Sequence, residues 1–275
     1  MAKSKKVFVI DVARCNGCYN CQIVCKDEHV ANDWSPIAKP QPEIGQFWLH
    51  LVERVRGTVP KVKVAYRPHL CMHCDQAPCL ESCPVEGAIY KRDDGLVIID
   101  AVKCTGCRNC VDACPYDTIF FNEDLNLAQK CTGCAHLLDD GWDEPRCADA
   151  CPTLCLKWMD EEEAKPLLEK AGVWKPELKD EVKPRVYYLN LPKKFIAGTV
   201  YDPKEEEVII GATVSVKGAA GEKASVQTDA YGDFWFEDLP DDTFELKIEQ
   251  GSKTKVFSGL DTAKEDINLG DIPLT

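Results

Sequence analysis

The sequence predicts an α+β protein in which a duplicated, cysteine-rich domain precedes a small antiparallel β-sandwich. All 17 cysteines of the 275-residue chain lie between Cys15 and Cys155. A 15-residue pattern near the N-terminus recurs 89 positions later, and alternating apolar segments separated by Gly, Pro and Asp turns begin at Phe195. We therefore expect a cysteine-rich domain over 1–155, a connector with a short helix and strand over 156–194, and the sandwich over 195–275.

The recurring pattern is VFVIDVARCNGCYNC at 7–21 and LVIIDAVKCTGCRNC at 96–110. Each copy predicts a short apolar strand, a basic residue and then a loop that carries cysteines. Asn20 in the first copy matches Asn109 in the second. The cysteine-rich domain is therefore predicted to have two pseudo-symmetric halves, with an insertion at about 30–68.

Sixteen cysteines fall into four quartets. They are Cys15, Cys18, Cys21 and Cys25; Cys71, Cys74, Cys79 and Cys83; Cys104, Cys107, Cys110 and Cys114; and Cys131, Cys134, Cys147 and Cys151. The first and third have the spacing C-x2-C-x2-C-x3-C, and all but the first end in Cys-Pro. This spacing is typical of bacterial ferredoxins, in which three thiolates bind one 4Fe–4S cluster and the fourth binds its neighbour.

The chemistry of the quartets also favours iron–sulfur clusters, because thiolates are the soft ligands that such clusters require. Gly17, Gly106 and Gly133 occupy the same place in C-x-G-C and predict a positive φ that brings the backbone close to the sulfides. Zinc remains an alternative, since sixteen cysteines also suffice for four tetrahedral zinc sites in a scaffold protein.

Three segments (71–88, 96–119 and 130–153), together with RCNGCYNCQIVCKDEH at 14–29, resemble the four-cluster iron–sulfur subunits of the dimethyl-sulfoxide-reductase-type molybdenum and tungsten enzymes. The resemblance covers roughly 5–195. It implies four 4Fe–4S clusters, or three if one quartet is unoccupied, and the fourth quartet with its 12-residue insertion is the first candidate for that. It also implies that molybdenum and its pterin belong to a large catalytic partner, with no molybdenum in this chain.

The same resemblance implies how the quartets exchange their closing cysteines. The implied ligand sets are Cys15, Cys18, Cys21 and Cys151; Cys131, Cys134, Cys147 and Cys25; Cys71, Cys74, Cys79 and Cys114; and Cys104, Cys107, Cys110 and Cys83. Cys155 is left over and is predicted to be a buried small side chain and not a ligand.

Several other side chains near the quartets have two interpretations. Arg14, Lys103 and Lys130 each precede the first cysteine of a quartet, where a cation either stabilises an anionic cluster or is simply exposed. His73 and His136 fall inside cysteine loops and either tune a cluster by hydrogen bonding or pack in the core.

The segment from Phe195 predicts six short strands, and GxVxD at 198–202 with TDxxGxFxF at 228–236 resembles the carboxypeptidase-regulatory-like, or transthyretin-like, domains. The resemblance implies a module that binds or braces a partner and carries no catalysis. Four quartets, this module and no membrane anchor together resemble the small subunits of anaerobic molybdopterin transhydroxylases.

Charge and hydropathy exclude several classes of protein. The net charge is −13, and residues 196–275 contribute −10 from seven lysines and 17 acidic residues. Such acidity disfavours nucleic acid and anionic membranes as partners. VFVI at 7–10 is too short for a signal-peptide core, and no run approaches the ~18 apolar residues of a membrane span. We expect a cytoplasmic protein, the alternative being export together with a partner that carries a signal.

No motif for catalysis or nucleotide binding occurs in the chain, so no catalytic site is expected in it. The predicted function is electron transfer in a heterodimer with a molybdopterin enzyme that moves hydroxyl groups between aromatic rings. The alternatives are a subunit of another soluble molybdenum or tungsten reductase or dehydrogenase, a zinc-stabilised scaffold, and a free multi-cluster ferredoxin.

Overall fold

Short strands and short helices dominate the structure, a computed structural model that describes residues 4–169, 182–221 and 223–275. The chain divides into two units. The cysteine unit comprises residues 1–53 and 66–191, and the sandwich unit comprises 54–65 and 192–275. The predicted connector helix is present as Glu161–Leu168, whereas part of the connector, 170–181, lies outside the described residues. The limits predicted for the domains stay a prediction.

A three-stranded sheet organises the cysteine unit. Its central strand, β1 (Lys6–Asp11), pairs antiparallel with β8 (Leu156–Asp160) and parallel with β9 (Val186–Leu189). Residues 7–10 are all buried, which fits a central strand that is covered on both faces. This strand precedes the first cysteine loop, as the repeat predicts.

Three hairpins complete the strands that begin in this unit. They are β2 (Leu49–Thr58) with β3 (Lys61–Leu70), β4 (Ile89–Lys91) with β5 (Val97–Ile99), and β6 (Ile119–Asn122) with β7 (Leu127–Lys130). β5 is the strand of the second repeat. The β2–β3 hairpin overlaps the second half of the insertion predicted at about 30–68, and its tip belongs to the sandwich unit.

Most helices of the cysteine unit are short, and most of them follow directly on a cysteine loop. They are α1 (Asn20–Val30), α2 (Pro78–Glu81), α3 (Asn109–Asp112), α4 (Ala135–Asp139), α5 (Arg146–Asp149) and α6 (Glu161–Leu168). Each of α1, α2, α3 and α5 carries the third cysteine of one quartet. α1 packs on α5 and α2 packs on α3, so the first quartet lies with the fourth and the second with the third.

The sandwich unit consists of two four-stranded sheets. Its strands are β10 (Lys194–Asp202), β11 (Glu207–Val208), β12 (Thr213–Gly218), β13 (Lys223–Gln227), β14 (Asp233–Leu239), β15 (Thr243–Gln250), β16 (Lys253–Asp261) and β17 (Ile267–Pro273). In one sheet β10 pairs with β11, β14 and β17, and the other has the order β13-β12-β15-β16. Alternate residues of β15 are buried, as expected for a sheet with one face on the core.

The tip of the β2–β3 hairpin is held in the sandwich unit by charged contacts. Lys61 is 4% exposed and forms an ion pair with Asp233. Arg56 pairs with Asp266 at 3.2 Å. These contacts make residues 54–65 part of the sandwich unit although they precede it by more than a hundred positions.

None of the helices in the described part of the chain has the length and apolar character of a membrane span.

Candidate metal centres

One cavity of the cysteine unit is lined by Cys71, Cys74, Cys79 and Cys114. It thus combines three cysteines of the second quartet with the closing cysteine of the third. Apolar side chains, including Val97 and Ile119, form the rest of its wall. Burial, followed by the neighbouring thiols Cys71 and Cys114, raises the pKa of Cys79 to about 11, although Lys130 opposes that rise.

A second cavity repeats this arrangement with the quartets reversed. Cys104, Cys107 and Cys110 line it together with Cys83, the closing cysteine of the second quartet. Burial raises the pKa of Cys110 to about 12, with Cys104, Cys107 and Cys83 among its neighbours. The exchange of closing cysteines follows from the packing of α2 on α3.

The first and fourth quartets exchange their closing cysteines in the same way. Cys21 lies among Cys15, Cys18 and Cys151, and burial together with these thiols raises its pKa to about 12. Cys25 lies beside Cys131 and Cys134, and Cys147 has the same neighbours.

All four thiols of the group Cys25, Cys131, Cys134 and Cys147 are buried. Burial raises the pKa of Cys131 to about 11 and that of Cys134 to about 12. Thiols with such pKa values bind iron only by releasing their protons. The insertion in this quartet forms α4 and leaves the four thiols together.

The four groups of thiols coincide with the four ligand sets implied by the resemblance. Iron occupancy of each set stays a prediction. Within the described ranges no three His, Cys, Asp or Glu side chains converge on a position for one metal ion. The residues fit a cuboidal 4Fe–4S cluster because each group supplies four soft sulfur ligands, and the thiols of the Cys71 and Cys107 groups line a cavity.

The groups follow one another in a row. Cys110 of one group lies near Cys79 of the next, and Cys71 lies near Cys131 of the third. Cys147 of the third group lies near Cys21 of the last. We call the groups of Cys71 and Cys131 the inner groups, and those of Cys18 and Cys107 the outer groups. Cys18 and Cys107 are the exposed cysteines, one at each end of the row.

The two repeats have the same backbone conformation at their cysteine loops. Gly17 and Gly106 have φ values of 71° and 75°, and Tyr19 and Arg108 have 61° and 66°. The positive φ predicted for the glycines is confirmed. This conformation turns main-chain N–H groups toward the sulfurs. In the equivalent loop of the fourth quartet, the N–H of Gly133 faces the sulfur of Cys131.

Sequence reasoning missed a role for the matched asparagines of the repeat. The side-chain amide of Asn20 donates to the carbonyl of Ala150, and that of Asn109 donates to the carbonyl of Ser82. Each acceptor immediately precedes the closing cysteine that joins the group, Cys151 or Cys83. The match of Asn20 with Asn109 between the two repeats is the feature of the sequence that indicates this shared role.

The three basic residues that precede quartets differ in their surroundings. Arg14 and Lys103 are exposed, whereas Lys130 is 2% exposed and lies among Cys71, Cys79 and Cys131. The expectation of a cation beside a cluster therefore matches the position of Lys130 alone.

The two histidines in cysteine loops also have different contacts. His136 contacts Glu28 at 3.0 Å through Nε2. His73 accepts a hydrogen bond from the main chain of Val97 at Nδ1, and its buried Nε2 has no partner among the described residues. With Nδ1 acting as acceptor, Nε2 carries the proton. His73 lines the cavity of the Cys71 group.

Each of the two units contains a segment that matches a known protein family. The family of 4Fe-4S dicluster domains matches residues 62–161, and the family of carboxypeptidase regulatory-like domains matches residues 196–275. The pyrogallol hydroxytransferase small subunit of Pelobacter acidigallici is 40% identical, over 90% of this chain and 91% of that protein.

Two further relatives are iron–sulfur subunits of reductases. The putative iron-sulfur subunit of a dimethyl sulfoxide reductase from Halobacterium salinarum is 32% identical, over 80% of this chain and 91% of that protein. The arsenate respiratory reductase iron-sulfur subunit of a Shewanella species is 32% identical, over 66% of this chain and 94% of that protein.

Proposed function

The chain belongs to the family of iron–sulfur electron-transfer subunits of molybdopterin oxidoreductases, and from this premise we propose that it holds four 4Fe–4S clusters and serves a molybdopterin-containing catalytic partner. The proposed number of clusters is supported by one observation, that sixteen thiols lie in four groups. Such clusters, when bound, accept and release single electrons.

The proposed ligands are the sixteen cysteines in the sets already described. The sets are Cys15, Cys18, Cys21 and Cys151; Cys131, Cys134, Cys147 and Cys25; Cys71, Cys74, Cys79 and Cys114; and Cys104, Cys107, Cys110 and Cys83. Apolar side chains such as Val97 and Ile99 line two of the cavities, and the positive-φ glycines direct main-chain N–H groups toward the sulfurs.

The order of the groups supports a route for electrons through the cysteine unit. A cysteine of each group lies near a cysteine of the next, from Cys107 at one exposed end to Cys18 at the other. We propose that electrons pass along this row and that one end faces the molybdopterin partner. The absence of a catalytic motif in the sequence agrees with a chain that conducts electrons while its partner performs the chemistry.

The proposed partner is a cytoplasmic transhydroxylase that converts pyrogallol to phloroglucinol, two trihydroxybenzenes. The similarity to the pyrogallol hydroxytransferase small subunit supports this, because coverage of 90% of the chain requires that both units match. The alternative is a soluble molybdenum or tungsten reductase or dehydrogenase, which the similarity to the two reductase subunits favours.

Anaerobic purification from the native source tests the proposal. We expect a brown complex with a larger chain, molybdenum, and four irons for each of four clusters. The complex should convert pyrogallol to phloroglucinol and should not reduce dimethyl sulfoxide or arsenate. Reduction of either oxidant without transhydroxylation would favour the alternative, and a colourless, zinc-rich protein or a chain without a partner would contradict the proposal.

The ligand sets have a sharper test in single substitutions. Cys114→Ser should perturb the same electron paramagnetic resonance signal as Cys74→Ser, although Cys114 belongs to the sequence quartet of Cys110. Cys83→Ser should perturb the same signal as Cys107→Ser. If each closing cysteine acted with its own quartet, the proposed exchange would be wrong.

A further inference from the structure

Lys130 ends β7, and its ammonium group lies in the interior of the cysteine unit. The residue is 2% exposed. Its Nζ donates to the carbonyl of Val97 and to the carbonyl of Cys131, the latter at 3.0 Å, and it lies beside the thiol of Cys71. The two carbonyls accept from two of the three N–H donors of the ammonium group.

The position of Lys130 is between the two inner groups of thiols. Cys71 and Cys79 belong to one group and Cys131 to the other, and all three interact electrostatically with the ammonium group. Two carbonyl acceptors and the sulfurs on either side all favour the charged form of Lys130.

A buried ammonium group needs a compensating negative charge nearby, because its transfer from water is very unfavourable. No carboxylate in the described ranges pairs with Lys130. The acceptors that surround it are two carbonyl oxygens and sulfur, so the compensating charge belongs to the thiolates and to the clusters that they ligate.

Lys103 offers a natural comparison within the chain. Lys103 and Lys130 open the same pentapeptide, KCTGC, before equivalent cysteines. The side chain of Lys103 is 56% exposed and lies 3.9 Å from the carboxylate of Asp100. Its charge is therefore hydrated and lies near a carboxylate, whereas that of Lys130 is neither hydrated nor paired with a carboxylate among the described residues.

We propose that Lys130 is the shared counter-cation of the two inner clusters and raises the reduction potential of both. This inference rests on the proposed function, since it requires clusters in both inner groups. A cluster with four thiolate ligands is an anion whose charge grows on reduction, so a neighbouring cation stabilises the reduced form. The effect is strong in an interior of low dielectric constant and falls with distance, so the outer clusters feel it less.

Redox titration of the full chain, purified anaerobically with its co-purifying partner, tests the inference. The variants are Lys130→Met, Lys130→Gln, which keeps a hydrogen-bond donor but no charge, and the control Lys103→Met. Electron paramagnetic resonance follows each cluster, with signals assigned by the cysteine variants above. For Lys130→Met and Lys130→Gln we expect the equilibrium constant for reduction of two clusters to fall about tenfold or more, which is about 59 mV for one electron.

Lys103→Met should leave all four potentials unchanged. The inference is overturned if the Lys130 variants retain full iron with unchanged potentials, or if all four clusters shift alike. It is also overturned if neither Lys130 variant retains iron, because Lys130 would then be required for assembly of the clusters and not for setting their potentials. A wild-type chain without iron would instead defeat the proposed function, so the two failures are distinguishable.

Discussion

Asn20 donates a side-chain hydrogen bond to the main-chain carbonyl of Ala150, which lies 130 positions away. This contact joins the loop that carries Cys15, Cys18 and Cys21 to the residue before Cys151. The pseudo-symmetric contact, from Asn109 to Ser82, does the same for Cys83. The asparagines of the repeat therefore position the closing cysteine that each outer group receives from another quartet.

Asn20→Ala should weaken the outer cluster of the Cys18 group without removing a ligand. Loss of one neutral hydrogen bond costs about 1 kcal/mol, so iron should leave this cluster roughly fivefold faster in the presence of a chelator. Time-resolved loss of one paramagnetic signal measures it. Asn109→Ala is the matched variant and should affect the Cys107 group instead; equal effects of either variant on both outer clusters would contradict this role.

Cys155 makes a further contact to the Cys18 group, because its thiol hydrogen-bonds Cys15. The bond lowers the pKa of Cys15 and raises that of Cys155, which is 2% exposed. A hydrogen bond to a ligand sulfur favours the reduced cluster. Cys155→Ala should therefore lower the potential of one outer cluster and leave the iron content unchanged, whereas Cys155→Ser should restore most of the potential. Loss of iron in both variants would instead identify Cys155 as a ligand.

Gly106→Ala should impair the other outer group. Gly106 has φ of 75°, and a Cβ there would overlap the main-chain oxygen of Asn126 and lie 2.8 Å from its side-chain nitrogen. We expect a cost of about 1–3 kcal/mol and a preparation with less iron in one cluster, measured by iron analysis. Gly141→Ala is the control, since its φ is 96° but nothing lies within 4 Å of the added Cβ. A similar loss of iron in both would show that strain alone, and not the contact with Asn126, is responsible.

Features that depend on nearby residues could be predicted from the sequence. The apolar run at 7–10 forms the buried part of β1, and the glycines of C-x-G-C have the predicted positive φ. Strand and turn are decided there by side chains a few positions apart, so a local pattern contains the information. The alternating segments of the tail became strands for the same reason.

Features that depend on distant residues could not be predicted in this way. Lys103 and Lys130 are followed by the same four residues, yet only Lys130 is buried, because β5 and the Cys71 loop cover it. β17 was missed since Gly270 and Pro273 lower its strand propensity. It forms by parallel pairing with β10, where the register shifts between Ala197 and Thr199. The assignment of residues 54–65 to the sandwich unit likewise depends on partners that lie far along the chain.

The ion pair of Lys61 with Asp233 predicts an asymmetric response to mutation in the sandwich unit. The side chain of Lys61 is 5% exposed and that of Asp233 is 24% exposed. Asp233→Asn leaves a buried ammonium group unpaired and should lower the free energy of unfolding by about 3 kcal/mol at pH 7. Lys61→Met leaves a carboxylate that water reaches and that Thr199 still binds at 2.7 Å, so we expect a loss of about 1 kcal/mol.

The difference between Asp233→Asn and the wild type should shrink in acid. Burial raises the pKa of Asp233, but Lys61 and Thr199 outweigh it and lower the pKa below the usual value of about 3.9. The pair therefore stabilises the unit fully above that value and is lost as the pH falls through the lower, folded-state pKa. Denaturant unfolding at pH 7 and pH 3 measures this through the fluorescence of Trp235, in chains whose other five tryptophans, all before residue 192, are replaced by phenylalanine. A larger loss for Lys61→Met than for Asp233→Asn, or an equal loss at both pH values, would contradict the assigned energetics of the pair.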